Sequence, residues 1–168
     1  KLGLLKALVG KFEYIVVGGG MANTFLYALG KNIGKSLVEI DLKDEALELL
    51  EKAKKNDCKF ILPSDVIVAK KVAENQEVKN ITSDKISDDD IIVDVGTKSL
   101  EEIVEGLKKC KTVIWNGPIG IYEIKPFNNG TDYLAGVISD MTKEGEVESV
   151  AGGGDILSAL NKAGISQD

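Results

Sequence analysis

Three glycine-rich stretches carry the residue types that could do chemistry here: "VVGGGMANTFL" (16–26), "WNGPIGIYE" (115–123) and "VAGGGDILSAL" (150–160). Each follows an apolar run that reads as a strand, and the first and third pass into a helical pattern. Glycine lets a backbone approach a ligand with no Cβ in the way. At a helix start the free N–H groups and the dipole favour an anion, and a phosphate suits that environment. Each charge-assisted contact contributes about 1 kcal/mol at an exposed site. One glycine triplet alone is equally a tight strand-to-helix turn. Three such turns on the carboxyl edge of one sheet point to a shared ligand.

Two carboxylates accompany the glycines. Asp155 either caps the last helix or holds a Mg²⁺ that bridges phosphate oxygens. Glu123 is either a surface carboxylate or an acceptor for ribose hydroxyls, and the apolar "IGIY" before it fits a pocket wall with one polar group. The P-loop spacing G-x-x-x-x-G-K-[ST] and the dinucleotide spacing G-x-G-x-x-G are absent. There is no histidine, which removes the commonest general base and the Ser-His and Cys-His pairs. An enzyme built from these residues would work by positioning and electrostatics.

The elements that must position these turns are legible as alternating runs. Apolar segments at 14–17, 59–63, 91–95, 112–116 and 148–152 predict strands buried on both faces. Helical stripes lie between them. Leu42, Ala46, Leu49, Leu50 and Ala53 share one face, with Asp41 as a cap. Ser99 and Glu102 have capping-box spacing ahead of Ile103, Leu107 and Cys110. Leu134, Val137, Ile138 and Met141 make a third stripe. A last helix over 155–163 carries Ile156, Leu157, Leu160 and Ala163, with Gly164 as its stop. The pattern predicts an α/β fold: a Rossmann-like open, mostly parallel sheet with helices on both faces. Residues 64–90 are the least regular. There "VIVAKKV" reads as one more strand and the remainder as a loop or hairpin, and Asp88, Asp89 and Asp90 as a solvated turn rather than a metal site.

Length and composition bound the function classes. The 168 residues suffice for one domain with a real core. A net charge of −6 argues against nucleic acid as a partner but leaves room for one phosphorylated small molecule. No run is apolar enough to span a membrane. "KLGLLKALVGKFEY" is broken by Lys6 and Lys11, so it reads as an amphipathic helix leading into a strand, not a signal peptide. Cys58 and Cys110 lack metal spacing and read as reduced thiols of a cytoplasmic protein.

"GGGMANTFL", "LPSDVIVA", "IIVDVGTKS", "TVIWNGPIGIYE" and "SVAGGGD" resemble, in order and approximate spacing, the C-terminal nucleotide-binding domain of the phosphoglycerate kinase family. The resemblance runs over nearly the whole chain. It implies a cytoplasmic glycolytic phosphotransferase that moves a phosphoryl group between 1,3-bisphosphoglycerate and ADP, giving 3-phosphoglycerate and MgATP. It implies that Gly18, Gly19 and Gly20 face adenine, with Leu37 and Ile121 as pocket walls. Pro118 and Glu123 would contact adenosine, Glu123 at the ribose. Asn116, Gly153, Gly154 and Asp155 would meet the phosphates, with Asp155 on Mg²⁺. No catalytic side chain is assigned within the chain.

The resemblance also implies that residues 1–168 are part of that domain in a two-domain kinase, incomplete relative to the family. The phosphoglycerate-binding N-terminal domain, a strand ending in G-G-A-K and a final strand with its glycine-rich helix start would lie outside it. Such a piece is expected to bind nucleotide weakly, not to catalyse alone, and to self-associate through unpaired edges, although the family is usually monomeric. Ile156 stands where many members have threonine, and Thr97 and Lys98 where many have proline and glutamate. These departures are expected to alter nucleotide binding and spare the fold. Two rival readings are a non-catalytic nucleotide-binding module of the same fold and a structural α/β domain whose glycines only turn the chain.

Overall fold

A computed structural model describes residues 2–165. The chain runs α1 (Leu2–Leu8), β1 (Tyr14–Val16), α2 (Gly19–Ala28), a short 3-10 turn (Ile40–Leu42), α3 (Lys43–Lys55), β2 (Lys59–Ile61), β3 (Asp65–Ala69) and β4 (Lys79–Thr82). It continues through β5 (Ile91–Val95), α4 (Thr97–Leu107), β6 (Thr112–Trp115), α5 (Asn129–Lys143), β7 (Glu148–Ala151) and α6 (Gly154–Lys162). The α/β class and the alternation follow the apolar pattern.

The strands pair in three groups. β1 and β2 are parallel, with Ile15 beside Phe60. β6 and β7 are parallel, with Ile114 beside Val150. The third sheet, in the order β4-β3-β5, is antiparallel throughout, so the strand over 91–95 does not join a parallel neighbour. Its apolar run reads the same in either sheet type, because both of its faces are covered. Residues 66–69 do form a strand, and the irregular segment after them returns as the hairpin strand β4.

Packing explains the helices better than their local capping does. α2 is buried on several sides, and Phe25, fully enclosed, meets the Phe60 ring at 5.0 Å between centroids. With Val9, Ile15, Val17, Ala46, Leu49 and Ala53 it forms the core between α1, α2, α3 and the β1–β2 pair. A second core joins Ile61, Val95, Ile103, Ile119 and Leu134 under α4 and α5. Ala135, Ile156, Ala159 and Leu160 seal α5 to α6.

Neither expected cap forms. Asp41 sits inside the 3-10 turn, and α3 begins after Leu42 without a side-chain cap. The Ser99–Glu102 box does not close either, because α4 starts three residues earlier, with Gly96 as its N-cap. Asp65 of β3 takes over, accepting from the Lys98 N–H at 3.1 Å and the Ser99 N–H at 2.8 Å, while Glu102 accepts from the Ser64 hydroxyl at 3.1 Å. A buried carboxylate from a neighbouring strand satisfies the free donors of a helix start as a local cap would. At the other end of the chain, Gly164 closes α6 at φ 72°, as its position predicted.

Asp88 to Asp90 do form a turn, but Asp90 is buried. It accepts from the Ser87 N–H and, with Asp89, from the Lys70 ammonium. No group of three histidine, cysteine or acidic residues placed to hold a metal occurs among the described residues. Cys58 is buried and Cys110 half-buried, donating to the Gly106 carbonyl at 3.3 Å, and burial raises the pKa of both thiols. No described helix is long and apolar enough to cross a membrane.

Candidate functional site

The three glycine turns converge. Gly19 and Gly20 after β1, the segment Pro118–Glu123 after β6, and Asp155 after β7 line one open cavity of about 550 Å³. Its remaining walls come from Ala22 and Asn23 of α2, from Lys35, Leu37, Pro63 and Val72, and from β5. The turns at β1, β6 and β7 all leave the carboxyl ends of parallel strands, where the free backbone donors of an α/β sheet collect.

Gly18 sets how closely the first two turns approach. A Cβ there would stand 2.7 Å from the Ile119 Cα, and the neighbouring Gly19 N–H donates to the Ile119 carbonyl at 3.1 Å. Gly18 thus lies behind the cavity wall, and Gly19 and Gly20 are the pair that line it. Leu37 folds over Gly20, whose missing Cβ leaves 3.3 Å to a Leu37 methyl. The helix α2 holds that segment with two buried polar groups. Asn23 donates to the Leu37 carbonyl at 3.1 Å, and the Thr24 hydroxyl accepts from the Glu39 N–H at 3.2 Å. Leu37 itself is 78% exposed, an apolar side chain on the cavity rim with room for a partner.

The segment 116–123 is pinned from several sides. The Trp115 indole donates to the Gly117 carbonyl at 2.5 Å, the Ile119 N–H donates to the Thr131 hydroxyl at 3.2 Å, and the Ile121 N–H to the Val93 carbonyl at 2.9 Å. Tyr122 packs against the cluster of Ala135, Ile156, Ala159 and Leu160, with the Lys162 ammonium 5.1 Å above its ring. These contacts present Pro118, Ile121 and the exposed Glu123 carboxylate to the cavity.

The third turn is more open. Gly153 precedes α6 at φ 110°, a conformation that glycine adopts without strain. The Asn116 Oδ1 lies 3.4 Å from where its Cβ would be, so Asn116 and Gly153 meet at one corner. Asn116, Gly153 and Gly154 stand beside the cavity rather than in its lining, and a Cβ on Gly154 would meet open space. Asp155 lies in the first turn of α6, which has no side-chain cap bond, so the capping reading of Asp155 is not realised. Its exposed carboxylate faces the cavity.

The departures from the family pattern separate in space. Ile156 is fully enclosed in the cluster with Ala135, Ala159 and Leu160. Thr97 and Lys98 begin α4 and donate their N–H groups to Asn80 and Asp65, away from the cavity.

Sequence reading missed much of the lining, including the polar or charged Asn23, Lys35 and Asp94 and the apolar Val72. Lys35 is the one cation among the described lining residues. Asp94 had a signal in the chain, as the single polar residue inside the apolar run "IIVDV". It is 3% exposed, and burial pushes its carboxyl pKa up to about 7, against the lowering effect of N–H donors from Gly130 and Val95.

Known proteins share this fold. The family described as "Phosphoglycerate kinase" matches residues 1–168. The chain is 46% identical over 168 residues to the phosphoglycerate kinases of Rhizorhabdus wittichii and Zymomonas mobilis, covering all of itself and 42% of each of them. It superposes on the solved phosphoglycerate kinase of Coxiella burnetii with a TM-score of 0.93 at 39% identity, over 98% of this chain and 41% of that one. The enzyme from Pyrococcus horikoshii, at 24% identity and a TM-score of 0.72, shares the fold. The chain thus spans about two fifths of the length of these relatives, and it belongs to the phosphoglycerate kinase family.

Proposed function

We propose that this chain is the nucleotide-binding, C-terminal part of a two-domain phosphoglycerate kinase, and that its cavity takes ADP and ATP. The convergence of three glycine turns on one cavity carries the reading. Adenine lies against Gly19, Gly20, Leu37 and Ile121, with Gly18 behind that wall, Pro118 beside the adenosine and Glu123 accepting from ribose hydroxyls. Asn116, Gly153, Gly154 and the first turn of α6 take the phosphates, where free N–H groups and the helix dipole favour an anion.

The residues present fit a Mg²⁺ that arrives with the nucleotide. Asp155 offers one exposed carboxylate oxygen donor set at the cavity, and no all-protein cage exists among the described residues. Magnesium is commonly held by one or two carboxylates together with substrate phosphates and water. When bound, it would offset charge on the phosphate oxygens. The residues of this chain orient the nucleotide and hold that metal's protein-side ligand.

In the full reaction the phosphoryl group of 1,3-bisphosphoglycerate passes to ADP, giving 3-phosphoglycerate and ATP. That step needs cations around the transferring group and a water-excluded site, for which Lys35 alone is a poor provision. The chain by itself therefore binds nucleotide without transferring phosphoryl groups. Calorimetry with MgADP tests the first half of this, and absence of heat at millimolar nucleotide would overturn it. Adding a separately made N-terminal half of a related phosphoglycerate kinase tests the second. Transfer from 1,3-bisphosphoglycerate to ADP is expected to appear, and its continued absence would favour a non-catalytic nucleotide-binding module.

A further inference from the structure

Asp94 is the one buried ionisable group in the cavity floor. Its Oδ2 accepts from the Gly130 N–H at 2.7 Å, in the first turn of α5, and its Oδ1 from the Val95 N–H at 2.9 Å. Two glycines cradle it. A Cβ on Gly120, in the cavity wall, or on Gly130 would stand 2.5 Å from Oδ1. The carboxyl group therefore touches the wall segment and the α5 start at once, and it has no ion-pair partner among the described salt bridges.

We infer that Asp94 is a positioning residue of this cavity, holding Gly120 and the start of α5 in register, and that it takes up a proton when a nucleoside fills the space beside it. This rests on the nucleoside reading above. The physical reason is desolvation: a bound base and ribose replace water next to an already enclosed carboxylate and disfavour its charged form. The charged groups facing it agree in sign. Asp132 of α5 repels the ionised form, and Glu123 and Asp155 across the cavity are also acidic. Lys35 on the rim is the single opposing charge among the described lining residues, α2 carries no acidic or basic side chain, and the β3 neighbour in register is Ile67.

The sign follows from linkage. Proton uptake on binding makes affinity fall as pH rises through the interval between the free and bound pKa values, and leaves it constant on either side. The free value stands at about 7, so the interval begins at neutrality. The chain has no histidine, and burial raises both thiols.

The test uses adenosine, which has no phosphate to titrate. Calorimetry of the 168-residue chain in paired buffers of different ionisation enthalpy counts protons taken up on binding. Uptake is expected to be near zero at about pH 5.5 and largest just above neutrality. Adenosine affinity is expected to fall about threefold between pH 6 and pH 8.5, the change given by half a unit of further pKa displacement. Asp94→Asn should bind with no uptake and a flat profile. Should that variant not fold, Asp132→Asn removes the repelling carboxylate and should move the uptake maximum to lower pH. Adenosine binding without buffer-dependent heat, or uptake that persists in Asp94→Asn, overturns the inference and spares the nucleoside reading. No adenosine heat at any pH overturns both.

Discussion

Asp65 and Ser99 grip each other through both backbone and side chain. The Ser99 hydroxyl donates to the Asp65 Oδ1 at 2.6 Å, the Ser99 N–H to the same oxygen at 2.8 Å, and the Asp65 N–H to the Ser99 Oγ at 3.1 Å. The Asn80 amide of β4 donates to Oδ2 at 2.8 Å. A strand-borne carboxylate thus fixes the start of α4 and the hairpin together. Gly96 is required beside it, since a Cβ there would stand 2.1 Å from the Asp65 carboxyl carbon.

Replacing Asp65 by Ala should therefore cost about 2–3 kcal/mol, because several buried donors lose a charged acceptor together. Burial pushes its pKa up, but the bonds from Ser99, Asn80 and Lys98 outweigh burial and hold it below the usual value. A lowered carboxyl pKa contributes stability above the unfolded value that is lost as pH falls through the folded one. Thermal unfolding followed from neutrality into acid should show a smaller acid-side loss in Asp65→Ala than in the parent. Equal acid-side losses would show that the cap does not carry this linkage.

The opposite sign applies to Asp94. Its pKa is raised to about 7 by burial, so the folded chain holds a proton that the unfolded chain has released. Its stabilising contribution is present below the unfolded value and is lost as pH rises toward 7. Between about pH 5 and pH 8 the parent should lose roughly 2–4 kcal/mol of stability that Asp94→Asn does not lose. Denaturant titrations at those two pH values measure the difference directly.

At Asp155, exchange to Ala should weaken MgADP binding about tenfold, near 1.4 kcal/mol, and metal-free ADP much less. Calorimetry with and without magnesium compares the two. Equal losses would mean that the carboxylate acts on the nucleotide or on α6 and not through a metal.

Glu123→Ala should reduce adenosine affinity as well as ADP affinity, by about tenfold or more for a lost charged hydrogen bond. The side chain is exposed, so the fold should be unaffected. A variant that binds adenosine as well as the parent would remove Glu123 from the ribose.

Gly18→Ala probes the junction of the first two turns. The added Cβ would press on the Ile119 backbone at 2.7 Å, and backbone cannot swing aside as a flexible side chain can. A loss of about 1–3 kcal/mol is expected, with weaker adenosine binding because Gly19 and Ile119 part. Unchanged melting and binding would show that the two turns are not coupled.

Local pattern by itself determined the strands, the helical stripes and the glycine turns, since burial period and glycine placement are properties of short segments. The motif order pointed to the phosphoglycerate kinase family, and "VVGGG", "WNGPIG" and "AGGGD" were legible as turns that would meet on one edge. Tertiary structure decided what no local window contains. It put 91–95 into an antiparallel sheet, because a two-sided apolar strand accepts neighbours in either direction. It replaced the Ser99 cap, because Asp65 reaches α4 from a strand 34 residues away. It sent Ile156 into the core and left Asp155 facing the cavity, one residue apart on opposite sides of a helix start. And it turned Asp94 from one polar letter in an apolar strand into a buried acid, because its environment is assembled from β5, α5 and the β6 loop, which only folding brings together.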